Sequence, residues 1–257
     1  MTKTALRRIF LIISFYCLST TIGLNAQPAR TAPNFTDSKG LKQGAWQKLD
    51  ANGRIVYEGQ FKNNSPEGIF NYYYEDGKLR TVLIYSGNGK KAVSVSYHPN
   101  GKKMAEGIYI EMKKDGLWKY YSDLETLASE ELYEKGVATG VWKVYFENGS
   151  VLEECPYKNG LKDGLFRQFF SNGDIKSEII LVQGKYEGVA KFYFPDGKPL
   201  MTGQFLNDSK EGLWITYKES GEKESEIRYS AGEIVEEKYY DKVREAELKN
   251  EETPIPE

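Results

Sequence analysis

The chain has 257 residues, 40% of them hydrophobic and 28% charged, with a formal net charge of -2, which fits one or two compact domains of ordinary composition. That charge offers no general attraction for a phosphate backbone or an anionic lipid surface, and nucleic acid is excluded as the expected partner. Aromatic residues make up 14% of the chain, 19 of them Tyr, an excess that suits half-buried pleated surfaces.

In chain order the first element is an address. Lys3, Arg7 and Arg8 precede an apolar run from Ile9 to Leu24 that ends near Ala26, so a cleaved signal peptide is expected over 1–26. Ser14, Ser19, Thr20 and Thr21 interrupt a run already short for a bilayer span. The bulky Tyr16 before Cys17 argues against a lipidated cleavage site. Export is the expectation, to the periplasm, the outer envelope or the medium. Cleavage leaves Cys155 as the remaining thiol, so the core must form without an internal disulfide. Gln27 to Pro33 reads as a linker and Asn34 to Gln43 as half a repeat, which together place a linker and N-terminal half-repeat at 27–39.

From 40 to 235 the chain repeats every 24 residues. Gly44, Gly68, Gly116, Gly140, Gly164, Gly188 and Gly212 lie on one lattice, with Ala92 the one substitution. Nine residues later come Gly53, Gly77, Gly101, Gly149, Gly173, Gly197 and Gly221, with Glu125 the exception. Two aromatic-rich columns follow, one from Leu49 and Tyr73 to Tyr217, the other from Phe61 and Tyr85 to Tyr229. Eight units therefore start at 44, 68, 92, 116, 140, 164, 188 and 212.

Each unit reads as a β-hairpin. Asn52-Gly53, Asp76-Gly77, Asn100-Gly101, Asn148-Gly149, Asn172-Gly173 and Asp196-Gly197 predict type I′ turns with positive φ at both central residues. Strand-like stretches such as Trp142 to Phe146 and Val151 to Tyr157 flank them. A glycine every dozen residues rules out helix. The expected fold is all-β: an elongated antiparallel meander of 24-residue hairpins in one twisted sheet, about 75 Å long if sixteen strands pair at about 4.8 Å. Unit four reads Ser122-Asp123-Leu124-Glu125-Thr126 and should turn differently from its neighbours. The segment 236–257 is expected to be a charged, helix-prone cap followed by a tail.

Gly140 to Gly149, with its Gly-x-Trp-x-x-Tyr-x-x-Asn-Gly pattern, and the following Tyr157-Lys158-Asn159-Gly160 resemble the MORN repeat in its bacterial variant form. The resemblance extends over about Gly40 to Gly232. It implies a scaffold role, with phospholipid contact proposed for some members, and bacterial proteins of this kind are often labelled YwqK-type antitoxins. Neither role follows from the repeat itself.

A binding function suits the residues better than catalysis. Tyr73, Tyr97, Tyr121, Tyr145, Tyr193 and Tyr217 form the candidate partner-binding surface, since rings repeated along a sheet can serve as a platform; the same rings can equally be core. A protein partner is the first reading, antitoxin or immunity action a narrower form of it, and a glycan or cell-envelope component the alternative. Glu58, Glu106, Glu130, Glu154, Glu178 and Glu226 recur fourteen residues after the unit start and read as the solvated face of the second strand. Three dilysines, Lys90-Lys91, Lys102-Lys103 and Lys113-Lys114, cluster around unit three. His98, the one histidine, lies beside Pro99 in a turn, and Cys155 has the parity of a buried small hydrophobe. No spacing for a metal, a cofactor or a catalytic nucleophile is present, so none of the three is expected.

Overall fold

The computed structural model describes residues 33–240. Residues 1–32, with the predicted signal peptide and most of the linker, and residues 241–257 lie outside the described residues. The described part belongs to one compact unit that begins at Pro33.

A short strand, β1 (Phe35–Thr36), leads into the first four hairpins: β2 (Lys42–Leu49) with β3 (Ile55–Lys62), β4 (Ser65–Tyr73) with β5 (Leu79–Ser86), β6 (Lys91–Tyr97) with β7 (Lys103–Ile110), and β8 (Lys113–Tyr121) with β9 (Leu127–Glu134). Next come β10 (Val137–Tyr145) with β11 (Val151–Lys158), then β12 (Leu161–Lys162) and β13 (Gly164–Phe169) with β14 (Ile175–Val182). The last pairs are β15 (Lys185–Tyr193) with β16 (Pro199–Leu206) and β17 (Ser209–Tyr217) with β18 (Lys223–Ser230), followed by β19 (Glu233–Tyr239). Each strand pairs antiparallel with its chain neighbours, except that β12 and β13 both pair with β11, so the sheet is the meander of hairpins that the period predicts.

The turns exchange roles relative to expectation. Within the first hairpin the Gly53 N–H donates to the Asp50 carbonyl at 3.1 Å and the Asp50 N–H to the Arg54 carbonyl at 2.9 Å. Gly53 has φ 78°, while Asn52 and its counterparts stay out of the left-handed region. This is a type I turn closed by a glycine bulge, not type I′. The Asn or Asp is favoured for a different reason: its side-chain oxygen accepts the N–H two residues on, as Asn100 does from Lys102 at 3.0 Å and Asn148 from Ser150 at 3.0 Å. Type I′ geometry appears instead in the returns between hairpins, at Asn63 (φ 50°) with Asn64 (66°) and Asn159 (53°) with Gly160 (85°).

Unit four also departs from expectation. Ser122 and Thr126 pair at 2.9 Å and the Glu125 N–H reaches the Ser122 carbonyl at 3.0 Å, the same pattern as in the glycine turns. Glu125 takes the glycine position at φ 67°. The surrounding ladder and a hydrogen bond between the Ser122 and Thr126 hydroxyls (2.7 Å) hold it there, against a cost of roughly 1 to 2 kcal/mol for a side chain in that region.

The unit-start glycines have a second conformational task. Gly68, Gly116, Gly140, Gly188 and Gly212 have φ between 65° and 80°. Each lies where the register with the preceding hairpin shifts, so each is a bulge that adds local twist. At Gly164 the strand itself divides into β12 and β13. Ala92 does not take positive φ, and the ladder from Ser86↔Lys91 to Thr81↔Ser96 runs without a shift.

The core lies on one face of the sheet, the ring face. Phe70, Leu83, Tyr85 and Ala92 form one buried cluster, and Cys155, Phe166, Ile179, Leu181, Ala190 and Trp214 another. One edge carries the two-residue β1 and the other the charged β19, two ways of discouraging edge pairing. The expected helix from Glu236 is corrected over its described part. Glu236, Glu237 and Lys238 continue in β19 opposite Arg228, Ile227 and Glu226, so an available strand edge overrides helix propensity.

Candidate binding faces and the seam at unit three

On the ring face Phe70, Trp118 and Trp214 lie over glycines. The residue two after each unit start is Trp46, Phe70, Ser94, Trp118, Trp142, Phe166, Ala190 or Trp214, and from Phe70 on it stands beside the preceding hairpin. A Cβ at Gly59 would stand 2.4 Å from the Phe70 ring, at Gly107 2.3 Å from Trp118, and at Gly203 2.2 Å from Trp214. Where the ring is absent the partner is large: Leu83 pairs with Ser94 and Ile179 with Ala190. At these five seams bulk on one strand is matched by its lack on the next, as close packing requires, whereas Trp142 and Phe166 follow Glu131 and Cys155.

The tryptophans are tied down at their polar end too. Trp118 donates its indole N–H to the Ile108 carbonyl at 3.1 Å, Trp142 to Leu132 at 3.0 Å and Trp214 to Gln204 at 3.1 Å. Each acceptor adjoins a register shift, so the indole satisfies a carbonyl that the bulge removes from regular pairing. Lysines four residues earlier cap the rings: Lys114 lies 5.0 Å from the Trp118 centroid and 4.7 Å from that of Tyr133, and Lys210 4.5 Å from Trp214.

The opposite face carries a ladder of paired charges. Glu106, Lys119, Glu130, Lys143, Glu154, Arg167, Glu178 and Lys191 stand directly opposite one another across successive strands. Lys119–Glu130 (3.1 Å), Lys143–Glu154 (2.9 Å) and Arg167–Glu178 (3.1 Å) close as ion pairs. The candidate tyrosines lie on this face, each half-buried. Tyr121 donates to Glu106 (2.6 Å), Tyr145 to Glu130 (2.7 Å), Tyr193 to Glu178 (3.1 Å) and Tyr73 to Glu58 (2.7 Å). Glu58, Glu106, Glu130 and Glu178 are therefore bonded on both sides. Burial and the Glu130 carboxylate push the Tyr145 phenol up to about 12. The Tyr145 hydrogen bond, followed by Lys119, holds Glu130 below its ordinary value. Tyr97 and Tyr217 have no such glutamate, because Val82 and Thr202 occupy the corresponding positions.

Beside the charge ladder runs a row of exposed aliphatic side chains. Ile69 (58% exposed), Ile84, Val93, Leu117, Leu132, Val141, Ile180, Val189 and Leu213 all lie open. Ile69↔Ile84, Ile84↔Val93 and Leu117↔Leu132 are direct cross-strand pairs. The row is visible in the sequence as an aliphatic column one residue after the start of units two to eight, joined by Ile84, Leu132 and Ile180 sixteen residues after theirs, and a reading centred on the aromatics passes it over.

Unit three interrupts both faces. Val82 and Val95 replace the charges on the ladder face. On the ring face a cavity of about 300 Å³ opens over Ser94, and a cleft of about 500 Å³ lies at the return edge beside Pro66 and Gly87. Of the dilysines, Lys103 pairs with Glu106 at 3.0 Å and Lys114 caps the rings of unit four. His98 bonds through Nε2 to the Tyr121 carbonyl at 2.9 Å, the place that the Tyr74 hydroxyl takes one unit earlier with Tyr97. Cys155 is buried in the core, and burial pushes its thiol pKa up. Among the described residues no group of three or more His, Cys, Asp or Glu is placed to hold a metal ion.

Comparison with known proteins agrees with this geometry. The model of the MORN repeat variant matches residues 42–63, 66–86, 138–159, 162–182 and 186–207. No curated protein matches the chain. Among solved structures, a chain in the crystal structure of TcdB2-TccC3-TEV is similar at 12% identity and a TM-score of 0.21, over 79% of this chain and 15% of that one. The chain thus spans a small fraction of that chain's length. The five matched segments fall on the hairpins described above, and the chain is a MORN-repeat protein of the variant type.

Proposed function

We propose that the chain is an exported, non-catalytic scaffold that binds a protein partner through the face carrying the charge ladder. The observation behind this reading is the exposed aliphatic row, flanked by charges that neutralise one another. An apolar strip with a polar border is the composition of a protein-binding patch. The candidate tyrosines border it, with their rings half-buried and several hydroxyls already bonded. The glycan reading calls for rings laid open in a row and draws no support from Trp118 and Trp214, each 3% exposed. An antitoxin-like role is a narrower form of the protein-binding reading.

The test is capture of partners from the envelope fraction by the mature chain and by a Leu117→Thr, Leu132→Thr, Val141→Thr variant. Loss of the retained protein with an unchanged melting temperature is the expected result. Equal capture by both would refute the assignment of this face. The mass of the secreted chain tests export, which predicts a mature N-terminus after Ala26.

A further inference from the structure

We propose that the seam between the second and third hairpins binds a phenol-sized aromatic ring that carries a carboxylate on its outward side. The site lies on the ring face and is independent of the protein-docking reading, which concerns the opposite face.

The first argument is repetition. The position two residues after a unit start holds a ring in six of the eight units, and Ser94 and Ala190 are the exceptions. Ile179 covers Ala190, which is fully buried. Leu83 stands opposite Ser94 but leaves about 300 Å³ open between Tyr72, Tyr85 and Tyr109. An open groove of this size has room for a substituted benzene laid against its walls. The aromatic walls favour edge or offset contacts with a flat occupant.

Polar groups supply the second argument. Ser94 is 2% exposed, lines the cavity and makes no side-chain hydrogen bond among the described residues. The neighbouring Thr81 and Ser96 hydroxyls bond each other at 3.1 Å, so Ser94 is the hydroxyl left to meet a phenol. Arg80 lies exposed on the lining and makes no ion pair among the described residues. A guanidinium in that place suits a carboxylate. The missing bulge completes the site: with Ala92 outside the left-handed region, the strand runs straight past the opening.

Titration calorimetry of the full chain with 4-hydroxyphenylacetate, with 4-methylphenol and with the blocked dipeptide acetyl-Tyr-Asp-amide tests the proposal. Expected are saturable binding of the acid or the dipeptide, about tenfold weakening of either by Arg80→Ala, and no effect of that change on 4-methylphenol. Tighter binding of the dipeptide identifies a partner chain as the source of the ring, and tighter binding of the free acid identifies a small molecule. The triple variant Leu83→Gly, Ala92→Gly, Ser94→Trp rebuilds a regular seam and should abolish binding. Should it fail to fold, ligand-to-protein nuclear Overhauser contacts with Tyr85 and Tyr109 in the unaltered chain decide the location. Absence of binding by both carboxylated probes, contacts elsewhere, or equal binding by a folded triple variant would overturn the assignment.

Discussion

The seam between β7 and β8 and the seam between β5 and β6 join the same kind of hairpins in different ways. In the first, Trp118 lies over Gly107, its indole bonds the Ile108 carbonyl, and Gly116 bulges at φ 73°. In the second, Leu83 faces Ser94, no bulge forms at Ala92, and a cavity remains. The seam between β14 and β15 lies between them, since it keeps the bulge at Gly188 but pairs Ile179 with Ala190. Ring and underlying glycine therefore form one packing unit, and the bulge is a separable second feature. A repeat family can hold its period while individual seams trade bulk across the strand pair.

The largest expected effect is at the rings. Trp118→Ala should lower stability by about 3 to 5 kcal/mol, the range for truncating a buried aromatic. Ser94→Ala, at the same place in its unit, should change stability by less than about 0.5 kcal/mol, because no protein bond is lost. Urea unfolding of both measures the contrast, and similar losses would erase the distinction between the two seams.

The glycine below the ring comes next. Gly107→Ala puts a Cβ into the Trp118 ring and should cost about 1 to 3 kcal/mol, as overpacking does. Ala105, two residues away on the same face, is already buried and accommodated. A neutral result at Gly107 would mean that the ring is free to lift.

A gain is expected in unit four. Glu125→Gly should stabilise the chain by about 1 kcal/mol by removing a side chain from positive φ, whereas Gly149→Ala should cost a similar amount. A melting temperature unchanged by both would show that turn conformation contributes nothing.

The smallest effect is electrostatic. Glu130 is held below its ordinary 4.5 by Tyr145 and Lys119, and Glu106 is held below it too, where hydrogen bonds from Tyr121 and Lys103 outweigh burial. A carboxylate with a depressed folded pKa adds stability above its unfolded value, and that share is lost as pH falls through the folded value. Melting temperature should therefore drop as pH falls below about 4.5, and less steeply in Glu130→Gln. Identical pH profiles would remove these glutamates from the account.

The period, the hairpins and the strand positions were legible because glycine and the aromatics mark backbone needs that recur unchanged. Turn type was not, since Asn-Gly suits both a type I′ turn and the last two positions of a type I turn with a glycine bulge, and loop length decides. The Glu125 turn was misread because a local rule was applied where the paired strands already fix the ends. The candidate tyrosines share one column of the 24-residue period, but their hydroxyl partners lie 15 residues earlier, as with Tyr121 and Glu106. The matching of Gly59, Gly107 and Gly203 with Phe70, Trp118 and Trp214, and of Leu83 and Ile179 with Ser94 and Ala190, was present in the sequence and became readable once the register between hairpins was known.

A double-mutant cycle at Ile179 and Ala190 tests the packing unit most directly, because Gly188 already supplies the bulge there. Ile179→Gly alone and Ala190→Trp alone should each destabilise, the first by emptying the seam and the second by overfilling it. The double variant, which recreates the arrangement of Gly203 with Trp214, should recover about 1 to 3 kcal/mol relative to the sum of the single changes. Losses that simply add would contradict the claim that ring and glycine act as a pair.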